Sequence, residues 1–513
     1  MASGMATLHK DRLSALDASF LSEERDASHM HVGALVVFDG HPPRLEDLIA
    51  HVESRLHLVP RYRQKLAESP LETGRPFWID DPSLNLHYHV RHTALPRPGS
   101  EEQLRLLAGR LFSQRLDRSK PLWELWLVQG LAREDGGEGE RFALISKTHH
   151  SMVDGVSGVD IATVLFDLEP TPAETPEPDA EWSPHPEPSA AELVAQNVVD
   201  AARRPLSLAG DAVRSLSRPR RTAAQAREAV TGVAEVAWAG LNPAPPTPLN
   251  VKIGPHRRLV WVRARLSNFK QIKDSLGGTV NDVVLTVVTG ALRRWLLGRG
   301  IQTEGLELRA LVPVSVRTEN QHGQLGNRIA AMRGPLPVYV EDPVERLAVV
   351  REEMKDLKES KQAHGAEVLT ALESFAPPTL LAQASRLNFS TRLFNLIVTN
   401  VPGPQFPLYL LGRELRDIVP IAFLPDNHAL AIAIMSYNGR INFGLLGDYD
   451  ALPDIDDVGL LIEASLGELL AATQPLGRSR HVDGLRPNGV NGWRGGWRPR
   501  TGTASRGRSS DAG

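Results

Sequence analysis

Two adjacent histidines followed by an aspartate-glycine pair, His149-His150-Ser151-Met152-Val153-Asp154-Gly155, carry the side chains best suited to chemistry in this 513-residue chain. An imidazole titrates near neutrality, so it can take a proton from a hydroxyl and return it to a leaving group, the work of a general base. The preceding residues, Phe142 to Thr148, form a short apolar-rich run after a Gly/Glu loop and read as a buried strand that the two histidines close. Successive strand side chains point to opposite faces, so one imidazole faces a cavity while its neighbour packs behind, and the two are poorly placed to chelate one metal. No metal or cofactor is expected. Asp154-Gly155 makes a turn, and Val156 to Leu168 continues as a packed helix with Val159, Ala162, Leu165 and Phe166 on its apolar stripe. The competing reading of the same histidines is a hydrogen-bonded core pair.

The elements that must position this unit are legible on both sides of it. Pro121-Leu122-Trp123 reads as a packed element ahead of the catalytic strand. Further on, Leu259 to Leu266 reads as a strand, Ser267 as the cap of a short helix, and Gly277-Gly278 as its end. Thr279-Val280-Asn281-Asp282 has the spacing of a capping box and opens a helix with Val283, Val284, Val287, Ala291 and Trp295 buried. That places the Asn281 amide in the first turn, beside unpaired backbone N–H groups, where it could donate to an oxygen gaining charge in a transition state. A plain cap with a solvated Asn281 is the alternative. Leu393 to Thr399 reads as a strand that Asn400-Val401-Pro402-Gly403-Pro404 stops in a rigid turn, either structural or substrate-positioning. Arg317 suits an ion pair with an acid such as Asp154 or a contact with a phosphate, and spacing does not choose between them.

At 513 residues and 42% hydrophobic, the chain exceeds what one core serves and reads as two domains. Residues 1–168 form the first and 255–476 the second. Between them, Glu169 to Pro188 holds seven prolines and six acidic residues and reads as an extended, mobile linker, followed by a helical connector from Ser189 to Leu241. Ser189 and Glu192 would cap that helix; its arginines Arg218, Arg220 and Arg221 suit a lipid surface, but interspersed acids favour packing across the domains. Residues 477–513 carry eight arginines against two aspartates, with Trp493 and Trp497, and read as a disordered tail suited to an anionic membrane or to bland solvation. There is no cysteine, which excludes disulfides and an acyl-cysteine route. No run reaches the roughly 18 apolar residues of a membrane span, and net charge of -3 argues against a globally basic nucleic-acid binder. A cytoplasmic protein, peripheral on membrane or lipid droplets, is the expectation.

HHxxxDG, present as His149 to Gly155, is the signature of the CoA-dependent acyltransferase superfamily that includes chloramphenicol acetyltransferase and peptide condensation domains. Leu13 to Phe20, Met30 to Leu35, Pro121-Leu122-Trp123, Thr279 to Leu285, Pro313 to Arg317, Leu325 to Asn327 and Asn400 to Pro404 narrow the resemblance to the bacterial wax ester synthase/diacylglycerol acyltransferase family, over about residues 10 to 470. The resemblance implies an α/β fold of two chloramphenicol-acetyltransferase-like sandwich domains with a channel between them. It implies His150 as base, His149 as support and Asp154 as the residue that orients the loop. It makes Asn281 and Asp282 a site pair with Gly155 as structural support, and Pro121, Leu122, Trp123, Asn400, Pro402 and Gly403 candidates near the substrate channel. The implied substrates are acyl-CoA and either diacylglycerol or a long-chain alcohol, with acyl chains in pockets of Leu, Val and Phe.

Rival chemistries lack their residues. Gly155-Val156-Ser157-Gly158 fails as a nucleophile elbow because Val159 holds the last glycine position, and there is no phosphate-binding glycine loop for a dinucleotide or nucleoside triphosphate. The DFGWG-type block of plant BAHD enzymes is also missing. A condensation-type enzyme using another acceptor or a carrier-bound donor, and a non-catalytic lipid-binding protein, remain alternatives.

Overall fold

The computed structural model describes residues 11–68, 75–133, 139–153, 164–171, 182–195, 243–315, 329–359 and 390–474. A small three-stranded sheet of β1 (Asp11–Arg12), β4 (Phe77–Asp80) and β3 (Gln64–Ala67) lies beside two six-stranded sheets. The first large sheet takes β2 (His31–Asp39), β5 (Val90–Ala94), β6 (Trp123–Leu131) and β7 (Arg141–His149) from the front of the chain, and β12 (Tyr409–Leu410) and β13 (Arg413–Ile421) from far downstream. Its order is β12-β13-β2-β7-β6-β5. The second comprises β8 (Arg257–Arg265), β9 (Leu308–Ser315), β10 (Ile329–Leu336), β11 (Leu396–Pro402), β14 (Leu430–Tyr437) and β15 (Arg440–Asp448), ordered β10-β9-β11-β14-β15-β8. Helices α1 (Ala15–Glu23), α2 (Leu45–Arg55), α3 (Leu86–His89) and α4 (Glu101–Phe112) accompany the first sheet in sequence, and α5 (Leu266–Leu276), α6 (Val280–Gly298), α7 (Pro343–Glu359) and α8 (Ile455–Ala472) the second.

The central strand β7 is apolar from Phe142 to Ile145 because both its faces are covered, and its neighbours β2 and β6 run antiparallel to it. β13 pairs antiparallel with β2, so a strand from the second half of the sequence completes the first sheet. The two sheets approach closely at Gly444 of β15, where any Cβ would stand 1.9 Å from the Pro420 carbonyl oxygen of β13; glycine permits that approach. One apolar cluster accordingly runs from Phe20, Met30 and Leu35 through Leu259 and Val262 to Phe423 and Ile432. Helix α6 is buried on all sides from Asp282 to Leu292 and is apolar there except for Asp282, Thr286 and Thr289, the two threonine hydroxyls donating to backbone carbonyls of the same helix. Among the described residues no single helix is long and apolar enough to cross a membrane.

Four local readings need correction. β7 ends at His149, and His150 opens a 3-10 turn, His150–Met152, because the His149 ring accepts the Ser151 N–H at 3.1 Å and turns the chain. Helix α5 starts two residues earlier than expected, with Arg265 as N-cap in place of Ser267 and no side-chain cap; its end at Gly277, φ 87°, stands as read. Asn400 and Pro402 lie inside β11, which extends to Pro402 by pairing in parallel with β14, so the stop falls at Gly403. Residues 182–188 of the proline-rich segment are docked rather than mobile: His185 donates its backbone N–H to the Asp80 carboxylate at 3.1 Å, its Nδ1 lies 2.7 Å from the same oxygen, and Lys65 pairs with Glu187 at 3.5 Å. The Ser189–Glu192 cap is present, with the Ser189 N–H donating to Glu192 at 2.7 Å. Most of the connector helix, Arg317, Leu325 to Asn327 and the arginine-rich tail lie outside the described residues.

Candidate active site

The site is built at the end of β7. The His149 N–H donates to the Leu122 carbonyl at 3.0 Å, and cross-strand pairing sets His149 opposite His31 on β2. Leu122 thus holds the strand end, while Trp123 is buried, stacks on His89 at 4.5 Å between ring centroids and donates its indole N–H to the Tyr62 carbonyl at 2.9 Å. Leu122 is therefore a scaffold contact of His149, and Pro121, Leu122 and Trp123 are all buried in this structure.

His149 faces inward. Its Nδ1 accepts the Ser151 N–H and lies 2.7 Å from the Ser151 hydroxyl, which leaves the proton on Nε2, 4.0 Å from the buried Glu24 carboxylate. Glu24 is also 3.8 Å from His31 and is held by Arg118 at 2.6 Å and Arg115 at 3.5 Å. Burial pushes His31 and His149 well below the usual imidazole range, with cationic neighbours adding to it. Both are neutral supports rather than charged reagents.

His150 is placed differently. Its backbone N–H donates to the Met30 carbonyl at 2.9 Å, and its ring lies face to face with Phe20, centroids 4.0 Å apart, with Phe423 edge-on at 5.2 Å. Met30 is fully buried with φ 51°, a left-handed conformation that costs a non-glycine residue about 1–2 kcal/mol and that aims its carbonyl at His150. His150 as a residue is half-buried, with its Nδ1 fully enclosed by protein. Burial lowers its pKa to about 4, opposed only by a contact with its own backbone. A proton held on Nδ1 leaves Nε2 with a free lone pair, the form a general base requires.

The second candidate pair is present as read. The Thr279 hydroxyl accepts the Asp282 N–H at 3.2 Å, and Asp282 accepts the Thr279 N–H at 2.8 Å, which fixes the start of α6. Asn281 is not simply solvated: its Oδ1 accepts the Asn400 Nδ2 at 3.1 Å, joining two residues 119 positions apart and turning the Asn281 Nδ2 donors away from that bond. Among the described residues neither asparagine hydrogen-bonds to His150. Gly403 donates its N–H to Ser436 at 3.3 Å, and Pro402 is exposed at the end of β11. Asp154 and Gly155 lie outside the described residues. An open hollow of about 430 Å³ beside Pro42, Ala94 and Leu131 adjoins the Arg141 end of β7, the opposite end from His149.

The motif singled out His150 but not its surroundings. Phe20, Met30 and His31 fell within the N-terminal blocks singled out above without a role; Glu24, Arg115, Arg118 and Phe423 carried no signal of their own, since only folding brings them to the motif.

A neutral histidine just past the end of a central strand, in a first sheet completed by a strand from the second half of the chain, fits one class: the α/β acyltransferases of the chloramphenicol acetyltransferase type. The fold agrees. A starter condensation domain of rhizomide synthetase, solved with C8-CoA and Leu-SNAC, superimposes with a TM-score of 0.56 at 14% identity over 92% of this chain and 98% of its own. The wax ester synthase/diacylglycerol acyltransferase from Marinobacter aquaeolei VT8 superimposes with a TM-score of 0.61 at 27% identity, covering 90% of this chain and 99% of that one. Residues 13–284 match the wax ester synthase/diacylglycerol acyltransferase catalytic domain and residues 325–470 the C-terminal domain of the same proteins. A Mycobacterium tuberculosis chain named "probable diacyglycerol O-acyltransferase tgs1" is 31% identical over 474 residues, 90% of this chain and 96% of that one. The chain belongs to the wax ester synthase/diacylglycerol acyltransferase family.

Proposed function

We propose that this protein moves a fatty acyl group from acyl-CoA to the free hydroxyl of diacylglycerol, giving triacylglycerol and CoA, with His150 as the general base. His150 takes the hydroxyl proton on Nε2 as the alcohol oxygen bonds to the thioester carbonyl carbon. The tetrahedral intermediate then breaks its C–S bond, and the same proton passes to the departing thiolate. No covalent enzyme intermediate is needed. A base of this kind contributes about 10² to 10⁴ in rate, and donors to the oxyanion a comparable or larger factor. Asn281, with its carbonyl oxygen engaged by Asn400, is the donor assigned to that oxyanion, and Asp154 is assigned to orienting the loop.

The observation that carries this reading is the state of His150: uncharged and ringed by Phe20 and Phe423. A base with pKa about 4 is ready at neutral pH, and an apolar surround suits a water-insoluble acceptor. The family name on the Marinobacter structure also supports a long-chain alcohol as a second acceptor. Both acceptors are lipid-soluble, so the proposal extends to a peripheral position on membrane or lipid droplets from the cytoplasmic side. Product analysis by mass spectrometry after incubating the purified chain with palmitoyl-CoA and diacylglycerol or hexadecanol tests the assignment. Triacylglycerol is the expected product; hydrolysis to palmitate with neither ester formed overturns it.

A further inference from the structure

A histidine base is ordinarily oriented by a hydrogen-bonding third group, because rotation of an imidazole about χ2 meets only broad, shallow wells. Among the described residues His150 has no such group: its Nδ1 is buried without a well-formed hydrogen bond, and the ring's close neighbours are aromatic. Phe20 covers one face, its ring inclined by 29° at 4.0 Å, and Phe423 meets the imidazole nearly at right angles, 86°, at 5.2 Å. The two phenyl rings also meet edge to face at 6.0 Å, which closes a three-ring cluster.

We propose that Phe20 is the positioning residue of the base: stacking fixes the plane of the His150 imidazole and so the direction of its Nε2 lone pair, with Phe423 of the second half of the chain limiting rotation from the edge. The inference rests on the acyl-transfer reading of His150. Phe20 is itself immobilised. Its carbonyl accepts the Glu24 N–H at 3.1 Å at the end of α1, Arg118 donates to the next carbonyl, Leu21, at 2.8 Å, and the Glu24 carboxylate ties that arginine in place. The same short segment supplies the Met30 carbonyl that receives the His150 N–H. Ring and backbone of the base are thus both held by residues 20–30, with Phe423, just beyond β13, closing the cluster. Productive geometry depends on this direction, since a reacting group misaimed by a fraction of an ångström loses rate without losing substrate affinity.

The test compares Phe20→Leu, Phe20→Tyr and Phe423→Leu with wild type and His150→Ala, using CoA release from palmitoyl-CoA with diacylglycerol and thermal melts as a folding control. Phe20→Leu, apolar but not planar, is expected to lower kcat about tenfold with KM for palmitoyl-CoA within twofold. Phe20→Tyr, which keeps the stack, is expected to recover most of that loss, and Phe423→Leu to lower kcat by a smaller factor. If Phe20→Leu fails to fold, a Phe423→Leu protein with wild-type kcat overturns the proposal. A folded Phe20→Leu with wild-type kcat, or a loss that Tyr does not recover, also overturns it. An inactive His150→Ala beside an unaffected Phe20→Leu sinks only the positioning role; a fully active His150→Ala sinks the base assignment beneath it.

Discussion

Replacing Gly33 by alanine tests whether the β2–β7 ladder holds the histidine pair in place. Gly33 lies in β2 opposite Lys147, two positions from the pairing of His31 with His149. A Cβ at residue 33 would stand 1.9 Å from the Ser146 carbonyl oxygen and 3.0 Å from the Phe112 ring. Ordinary contact begins at 3.4 Å, so the two strands would have to part by about 1.5 Å, and the obstructing atom belongs to backbone that no rotamer change can remove. Overpacking of this kind costs about 1–3 kcal/mol, and a displacement of about 1 Å at the reacting groups costs about 10²-fold in rate. Urea unfolding and initial rates of CoA release are the assays, with Gly298→Ala as control because nothing lies within 4 Å of a Cβ there. Gly33→Ala should lower both the unfolding midpoint and kcat, the latter by ten- to a hundredfold, while Gly298→Ala is neutral. Wild-type stability and turnover in Gly33→Ala would refute the argument that this ladder sets the geometry of the base.

Acidification provides a second test. His31, His149 and His150 are all held neutral mainly by burial, so between about pH 6.5 and 4 the unfolded chain binds more protons than the folded one, and stability must fall as pH falls through that window. For His150 the drop from 6.5 to about 4 corresponds to on the order of 3 kcal/mol, so urea midpoints should decline steadily from pH 7 to 4.5; a flat profile would count against neutral burial. At the start of α6, Thr279→Ala should cost about 1 kcal/mol in urea unfolding by removing the cap on the Asp282 N–H, and an unchanged midpoint would deny the cap its role. Asn281→Ala should reduce kcat by about 10² to 10³ if its amide serves the oxyanion, with Asn400→Ala, which only releases that amide, falling less; equal wild-type rates would remove the pair from the mechanism.

The features legible in the sequence were local ones. Phe142 to Ile145 announced a strand covered on both faces, Thr279 and Asp282 announced a capped helix, and Gly277 announced the end of the helix before it, because each rests on contacts within a few residues. The position of His150 was legible through its motif; its electrostatic state was not, since that state comes from Phe20 and Phe423, 130 positions before it and 273 after it in the numbering of the chain. The entry of β13 into the first sheet is of the same kind: Arg413 to Ile421 reads as any strand, and only the partner it finds, β2, reveals how the halves are joined. Composition also misled once. The prolines of residues 182–188 disfavour a core but do not forbid docking: His185 on Asp80 and Glu187 on Lys65 hold the segment on the small sheet.

The role of His150 as the base for acyl transfer is tested by acceptor-dependent CoA release from palmitoyl-CoA by wild type and His150→Ala, measured from pH 5 to 9. Wild type should show diacylglycerol-dependent release with no loss of kcat/KM attributable to His150 protonation above about pH 5, since the group titrates near 4, and folded His150→Ala should lose at least about 10²-fold in rate at every pH. Undiminished, acceptor-dependent release by His150→Ala would contradict the account.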